Sequence, residues 1–194
     1  MLRVVKALPL QGDSSGAADL GDAELLERVA SGDLDALGLI YDRHYPTVLR
    51  FCRRAVGQDA EDLAQETFLT ASRAAARYDG RPSCRPWLIG IAARGVLHRQ
   101  RSFTRFQNVL RRFASDKEAS AAQAPAQDPE QSRQLQRALA ELPAPKRVVL
   151  ILAEAEGLSG QEIARQLNIP VGTVWTRLHH AKKQLRALLE AERP

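Results

Sequence analysis

The stretch LSGQEIARQLNIPVGTVWTRLHHAKKQLR, residues 158–186, decides the fold. Ser159 and Glu162 stand three apart at the head of an apolar run, the spacing at which a hydroxyl and a carboxylate close a helix N-terminus reciprocally. The short helix opened there carries Ile163, Ala164 and Leu167 on one side. Asn168-Ile169-Pro170 forces a turn, and Gly172-Thr173 leads a long second helix with Val174, Leu178, Ala181, Leu185 and Leu188 inward. Ala164 is small where two helices must cross closely. The layout predicts a helix-turn-helix whose second helix is basic through Arg177, Lys182, Lys183 and Arg186, with no acid among residues 171–186. Thr173, Trp175, Thr176, Arg177 and His180 lie outward near the N-terminal end, where such helices meet base edges; Lys182, Lys183 and Arg186 suit phosphates. A helical hairpin with a solvated basic face is the plainer reading, but cap, turn and charge agree on DNA.

Working outward, the same rules lay helices along the rest of the chain and require no strand. Asp128-Pro129-Glu130 reads as a cap, a first-turn proline and a first-turn acid, opening a helix with Leu135, Ala138, Leu139 and Leu142 apolar. Pro145 opens the next, which Gly157 stops. Nearer the N-terminus, Asp22 reads as the cap of a helix through Leu25, Leu26 and Val29, and Asp33 as the cap of another. Pro46 is expected to kink or split that second helix, and Asp59 to cap a third with Leu63, Ala64 and Phe68 inward. Pro86 opens a fourth, through Trp87, Leu88 and Ile91 to about Arg101. From Arg105 to Gln127 the period fades into Ala, Gln, Ser and Pro, a flexible linker. The fold class expected is all-α, two small helical domains: 22–104 and 128–190, with a mobile tail at 1–21, the linker at 105–127 and a short tail at 191–194.

Charge is uneven along the 194 residues, whose net is +5. Residues 81–113 hold eight arginines and no acid, while Asp59, Glu61, Asp62 and Glu66 cluster just upstream. Two separate basic tracts without local counter-charge point to phosphate backbones. The longest uncharged apolar run is far short of the ~20 residues of a membrane helix, and the first ten residues have no signal-peptide pattern. Two cysteines, Cys52 and Cys84, make no disulfide framework, and no spacing suggests a metal site or a cofactor. The expected compartment is the cytoplasm.

Leu158 to Ala164 followed by Ile169 to Val174 resembles the promoter-reading domain of bacterial sigma factors. Asp59 to Phe68 resembles the polymerase-binding helix of that family, and Trp87 to Ala93 the start of its promoter-melting helix. The three motifs occur in family order, and a short two-domain chain is similar to the extracytoplasmic-function (ECF) group of the sigma-70 family, a sigma-2-like bundle followed by a sigma-4-like helix-turn-helix. The resemblance implies that Asp62, Gln65, Glu66 and Leu69, which share a helix face at i, i+3, i+4 and i+7, meet the beta and beta-prime subunits of core RNA polymerase. It implies −10 DNA contacts from Arg81, Arg85, Trp87, Arg94, His98, Arg101 and Arg105, and −35 contacts from Thr173, Trp175, Thr176, Arg177, His180, Lys182 and Lys183. Arg94 and His98 replace residues commonly Asn and Asp in relatives, which makes that face more basic. A cognate anti-sigma factor is a further partner implied by the family.

A different class, a stand-alone helix-turn-helix regulator of duplex operator DNA, would need a dimer surface or ligand pocket, and the acidic third helix and arginine tract argue against it. Enzymatic chemistry would rest on Cys52, Cys84, His44 and His98, and no nucleophile, phosphate-loop or paired-carboxylate motif supports it. Cys52 reads as a small core residue. Cys84, in a basic loop, is expected to have a somewhat favoured thiolate.

Overall fold

The computed structural model describes the backbone of residues 20–110 and 129–191, and the side chains of 20–101 and 133–191. The expected N-terminal tail (to residue 19), most of the linker (111–128, with the Asp128 cap) and the last three residues lie outside the described residues. Eight α-helices run through the described residues: α1 (Asp22–Ala30), α2 (Leu34–Val56), α3 (Ala60–Ala74), α4 (Arg85–Leu110), α5 (Pro129–Glu141), α6 (Ala144–Glu154), α7 (Gly160–Leu167) and α8 (Val171–Ala191). No strand occurs among them. Single 3-10 turns precede and follow α3, at Gly57–Asp59 and Ala75–Arg77.

Local chemistry sets most of the boundaries. The Asp33 carboxylate accepts from the amides of Asp35 and Ala36 at 2.9 and 3.0 Å and starts α2 as expected. Three readings need correction. Asp22 does not cap α1: Gly21 is the capping residue and Asp22 is the first helical one, with its side chain turned inward. Asp59 occupies the cap position of α3, but its side chain makes no capping hydrogen bond, because the preceding 3-10 turn already shapes that entry. Pro46 does not break α2, which runs uninterrupted for 23 residues. One backbone donor is lost there, yet His44, Val48 and Leu49 on either side are buried, and Tyr41 stacks on Tyr45 at 4.6 Å. Packing along the whole helix outweighs the missing bond. Helix α4 also continues to Leu110, beyond the point where apolar periodicity fades.

The inward Asp22 side chain joins the first half together. Its Oδ1 accepts from the Arg43 guanidinium at 2.7 Å. Its Oδ2 lies 2.8 Å from Nε2 of His44 and accepts the backbone amide of Cys84 at 2.8 Å. One carboxylate thus ties the start of α1 to the middle of α2 and to the loop that launches α4. Around it Leu25, Leu26, Ile40, Phe51, Leu63, Leu88 and Ile89 form the core. The second half contributes to the same apolar cluster through Val148, Val149, Ile151, Leu152, Ile163, Leu167 and Val174. Leu139, Leu142, Leu150 and Ala181 close a smaller cluster between α5, α6 and α8.

Burial by itself would raise the Asp22 pKa, but the Cys84 amide, Arg43 and His44 outweigh it and bring it down to about 2 from 3.8. A depressed carboxylate stabilises the fold above its unfolded pKa and loses that contribution as pH falls through the folded value. Asp22→Ala should therefore lower unfolding stability at pH 7 by about 2 kcal/mol, because it leaves the buried His44 ring nitrogen and the Cys84 amide without their acceptor. The gap between wild type and variant should narrow as pH falls from about 4 towards 2, as urea titrations at a series of pH values would measure.

Candidate nucleic-acid interface

The helix-turn-helix forms as the sequence predicts. Ser159 Oγ accepts the Glu162 amide, while the Glu162 carboxylate accepts the Ser159 amide at 2.8 Å. Asn168 ends α7 in the left-handed conformation, with φ of 51°, and reverses the chain into α8. Val174 and Ala181 anchor α8 inward, so Trp175, Thr176, His180, Lys182 and Lys183 are exposed, with Thr173 and Arg177 half-buried. Lys182 Nζ sits 2.8 Å from Glu154, an exposed pair of the kind worth under about 1 kcal/mol and readily exchanged for a phosphate. All seven residues predicted for this surface lie on one helix, and His179 joins them, its ring edge-on to His180 at 5.6 Å.

The first half presents two faces. On α3, Asp62, Gln65, Glu66 and Leu69 are all exposed, opposite buried Leu63, Ala64, Thr67 and Phe68. Glu66 is already engaged by Arg99 of α4 at 2.8 Å. The predicted −10 residues divide into two sets. His98 and Arg101 are open to solvent, and Arg81 is exposed but paired with Asp79 at 2.7 Å. Trp87 is half-buried against Tyr78, with ring centroids 5.2 Å apart, so it packs rather than standing out as a platform. Arg85 and Arg94 are turned onto the second half. Arg85 Nη2 meets the Glu156 carboxylate at 2.7 Å, and Arg94 Nη1 donates to the carbonyl of Gln166 at 2.7 Å. Arg105 lies in α4, but its side chain is outside the described residues.

The cysteines behave differently from one expectation. Cys52 is a core residue whose thiol burial pushes up to about 12. Cys84 is fully buried, and burial together with the neighbouring Asp22 carboxylate raises its thiol pKa. A favoured thiolate is therefore ruled out: the basic loop is nearby in sequence, but the side chain faces an acid. Asp22, His44 and Cys84 bring their ligating atoms within 4.8 Å of one another, a juxtaposition that no sequence spacing shows. Arg43 already neutralises that carboxylate at 2.7 Å, and a cation there would be set beside the guanidinium. The group acts as a hydrogen-bonded staple.

Comparison with known proteins gives the family. Residues 40–106 match the family model described as Sigma-70 region 2, and residues 132–185 match Sigma-70, region 4. The chain is 36% identical over 169 residues to the RNA polymerase sigma factor CarQ of Myxococcus xanthus, a match covering 84% of this chain and 95% of CarQ. It is 32% identical to the ECF RNA polymerase sigma-E factor of Escherichia coli K12, over 86% of this chain and 93% of that one. The chain belongs to the sigma-70 family of RNA polymerase sigma factors, in its ECF group. Its partners are core RNA polymerase and promoter DNA, and nothing in the family matches is catalytic. Among solved structures, the fold is similar to the sigma factor RpoE of Bartonella quintana in complex with the anti-sigma factor NepR: TM-score 0.65, 24% identity, 79% of this chain and 96% of that one. It is also similar to CnrH in complex with the cytosolic domain of CnrY: TM-score 0.60, 25% identity, 89% of this chain and 99% of that one.

Sequence reasoning missed the residues that hold this sigma factor's halves together. Glu156, only 3% exposed, sits between Arg85 at 2.7 Å and Arg54 at 3.8 Å. Gln166 donates its side-chain amide to the carbonyl of Pro86 at 2.9 Å and lies across Gly90, where an added Cβ would meet it at 3.2 Å. Nothing local in the sequence marks either residue, because their partners lie 71 residues or more away. Glu156→Lys would set three cations together. The radius of gyration by small-angle scattering should rise above the roughly 16 Å of a compact chain of this length, with helix content unchanged by circular dichroism. An unchanged radius would show that apolar contact alone holds the halves.

Proposed function

We propose that this sigma factor divides promoter recognition among three of its helices. The exposed face of α3, with Asp62, Gln65, Glu66 and Leu69, docks on the beta and beta-prime subunits of core polymerase. The basic side of α4 and its leading loop, with Arg81, Arg85, Arg94, His98, Arg101 and Arg105, holds the −10 strand; α8 reads the −35 element through Thr173, Trp175, Thr176, Arg177 and His180, with Lys182 and Lys183 on phosphates. The working units are 22–104 and 128–190. The observation that carries this reading is the exposure of an acidic and amide face on α3 and of cations on the adjoining α4, side by side within one small bundle. A docking face and a nucleic-acid face can then be used together.

Opening the promoter is binding, not acid–base chemistry. A basic surface that holds unpaired bases better than duplex shifts the melting equilibrium by that difference alone. The packing of Arg85 and Arg94 onto the second half supports a further step: the halves part before α4 can hold DNA. Engagement of α3 by polymerase, with α8 drawn to a site one promoter-length away, supplies the work. The protein acts in the cytoplasm and at the nucleoid, and among the described residues no helix is long and apolar enough to cross a membrane. One structural relative was solved with an anti-sigma factor and the other with the cytosolic domain of CnrY, which supports an anti-sigma partner here, one that holds the closed arrangement.

Permanganate mapping of single-stranded thymines on genomic promoter DNA tests the reading, with the protein and core polymerase supplied separately and together. Melting only with both is expected; specific duplex binding by the protein alone would favour a stand-alone regulator. Asp62→Lys combined with Glu66→Lys should remove core binding in a pull-down while leaving helix content intact. Arg101→Ala should impair melting near −10, and Arg177→Ala should weaken −35 binding. Identical losses of sequence-blind, salt-dependent affinity in both would overturn the division of labour.

A further inference from the structure

Trp175 stands out from the first turns of α8 with 54% of its surface exposed, an unusual cost for so large an apolar side chain. Its ring is seated rather than free. The indole lies on Gly160, the first residue of α7, so closely that a Cβ there would meet Cζ2 at 2.5 Å and Cη2 at 2.7 Å. Only glycine leaves room for it. The next residue, Thr176, donates its hydroxyl to the carbonyl of Gly172 at 2.9 Å, which spends its polar group inside the helix and leaves the methyl as what it offers outward. Two adjacent, exposed positions on the reading face of the helix are therefore apolar in what they present. One of them is held in a fixed orientation by the partner helix of the motif.

In the major groove one base-edge group is apolar, the C5 methyl of thymine. We infer that Trp175, seated on Gly160, and the Thr176 methyl form a platform that reads thymine methyl groups in the −35 element. The inference rests on the assignment of α8 to that element. Trp175 contributes selectivity rather than anchoring, because an uncharged ring releases no counterions. Gly160 is a positioning residue: it touches no DNA and acts by where it lets the indole lie.

The test uses holoenzyme assembled from the full chain and core polymerase, on duplex promoters whose −35 window is randomised. After enrichment, each thymine in the winning window is replaced singly by deoxyuridine, which removes only the methyl. Wild-type holoenzyme should lose about three- to fivefold in affinity at one or two adjacent positions, the worth of burying one methyl group. Trp175→Ala should bind these duplexes more weakly, with no further loss on deoxyuridine and an unchanged dependence on salt. Gly160→Ala should show the same indifference to deoxyuridine. Alanine favours a helix, and the atoms it displaces are the far end of one side chain, so the domain stays folded. Neutral deoxyuridine at every position, or equal losses in wild type and both variants, would overturn the inference and leave −35 reading by α8 intact. Failure of wild type to enrich any sequence would overturn both.

Discussion

The buried carboxylate of Asp22 is the contact on which the first half depends. Three helical segments meet at it: the start of α1, the middle of α2 and the launch of α4. Charge makes the contact selective as well as strong. A carboxylate out of water is tolerable only with its lone pairs occupied, and here a guanidinium, an imidazole and a backbone amide occupy them. The amide comes from Cys84, the residue immediately before α4. The basic helix α4, proposed to hold DNA, is thereby fixed at its base to the bundle, while its far end, past Arg101, extends away from that anchor.

The contacts between the halves obey a different economy. Arg85 and Arg94 have counterparts on the second half, but both are on a surface where phosphates could replace those counterparts. Glu156 is the asymmetric partner. At 3% exposure it needs its arginines more than they need it, since exposed arginines are well solvated alone. Separation of the halves returns Glu156 to water and frees two cations at once. A closed arrangement with these partners is therefore one that nucleic acid can compete against directly, ion for ion. An apolar seam alone would offer no such exchange.

What could be read from the sequence follows the range of each interaction. The capping box of Ser159 and Glu162, the Asn168 turn and the inward set of α8 all act within a few residues, and local rules find them. Asp22 and Asp33 look alike in sequence, each an acid before a helical run. Asp33 caps, and Asp22 does not, because its partners lie 22 and 62 residues away. Pro46 was expected to kink or split its helix, and the split does not occur because burial on both sides overrides the local rule. Arg94 is one of the stripe of cations on α4 that the family resemblance implies for DNA, but its guanidinium is committed to a carbonyl 72 residues further on. The stripe of cations was legible; which of them are occupied depends on a contact between the halves that no periodicity records.

The two surfaces proposed to face DNA differ in the physics available to them. On α4 the candidates are almost all cations, which attract any strand and discriminate single from double only through geometry. On α8 Trp175 and Thr176 present apolar surface in the first turns, beside Arg177, and the lysines Lys182 and Lys183 follow later along the helix. Discrimination among duplex sequences needs groups that sense base edges, and a ring seated on Gly160 is such a group because that contact restricts where it can lie. A flexible lysine at the same position would bind as well to every sequence. Specificity on this chain is therefore expected to reside where the side chains are least charged and least mobile, and affinity where they are most charged.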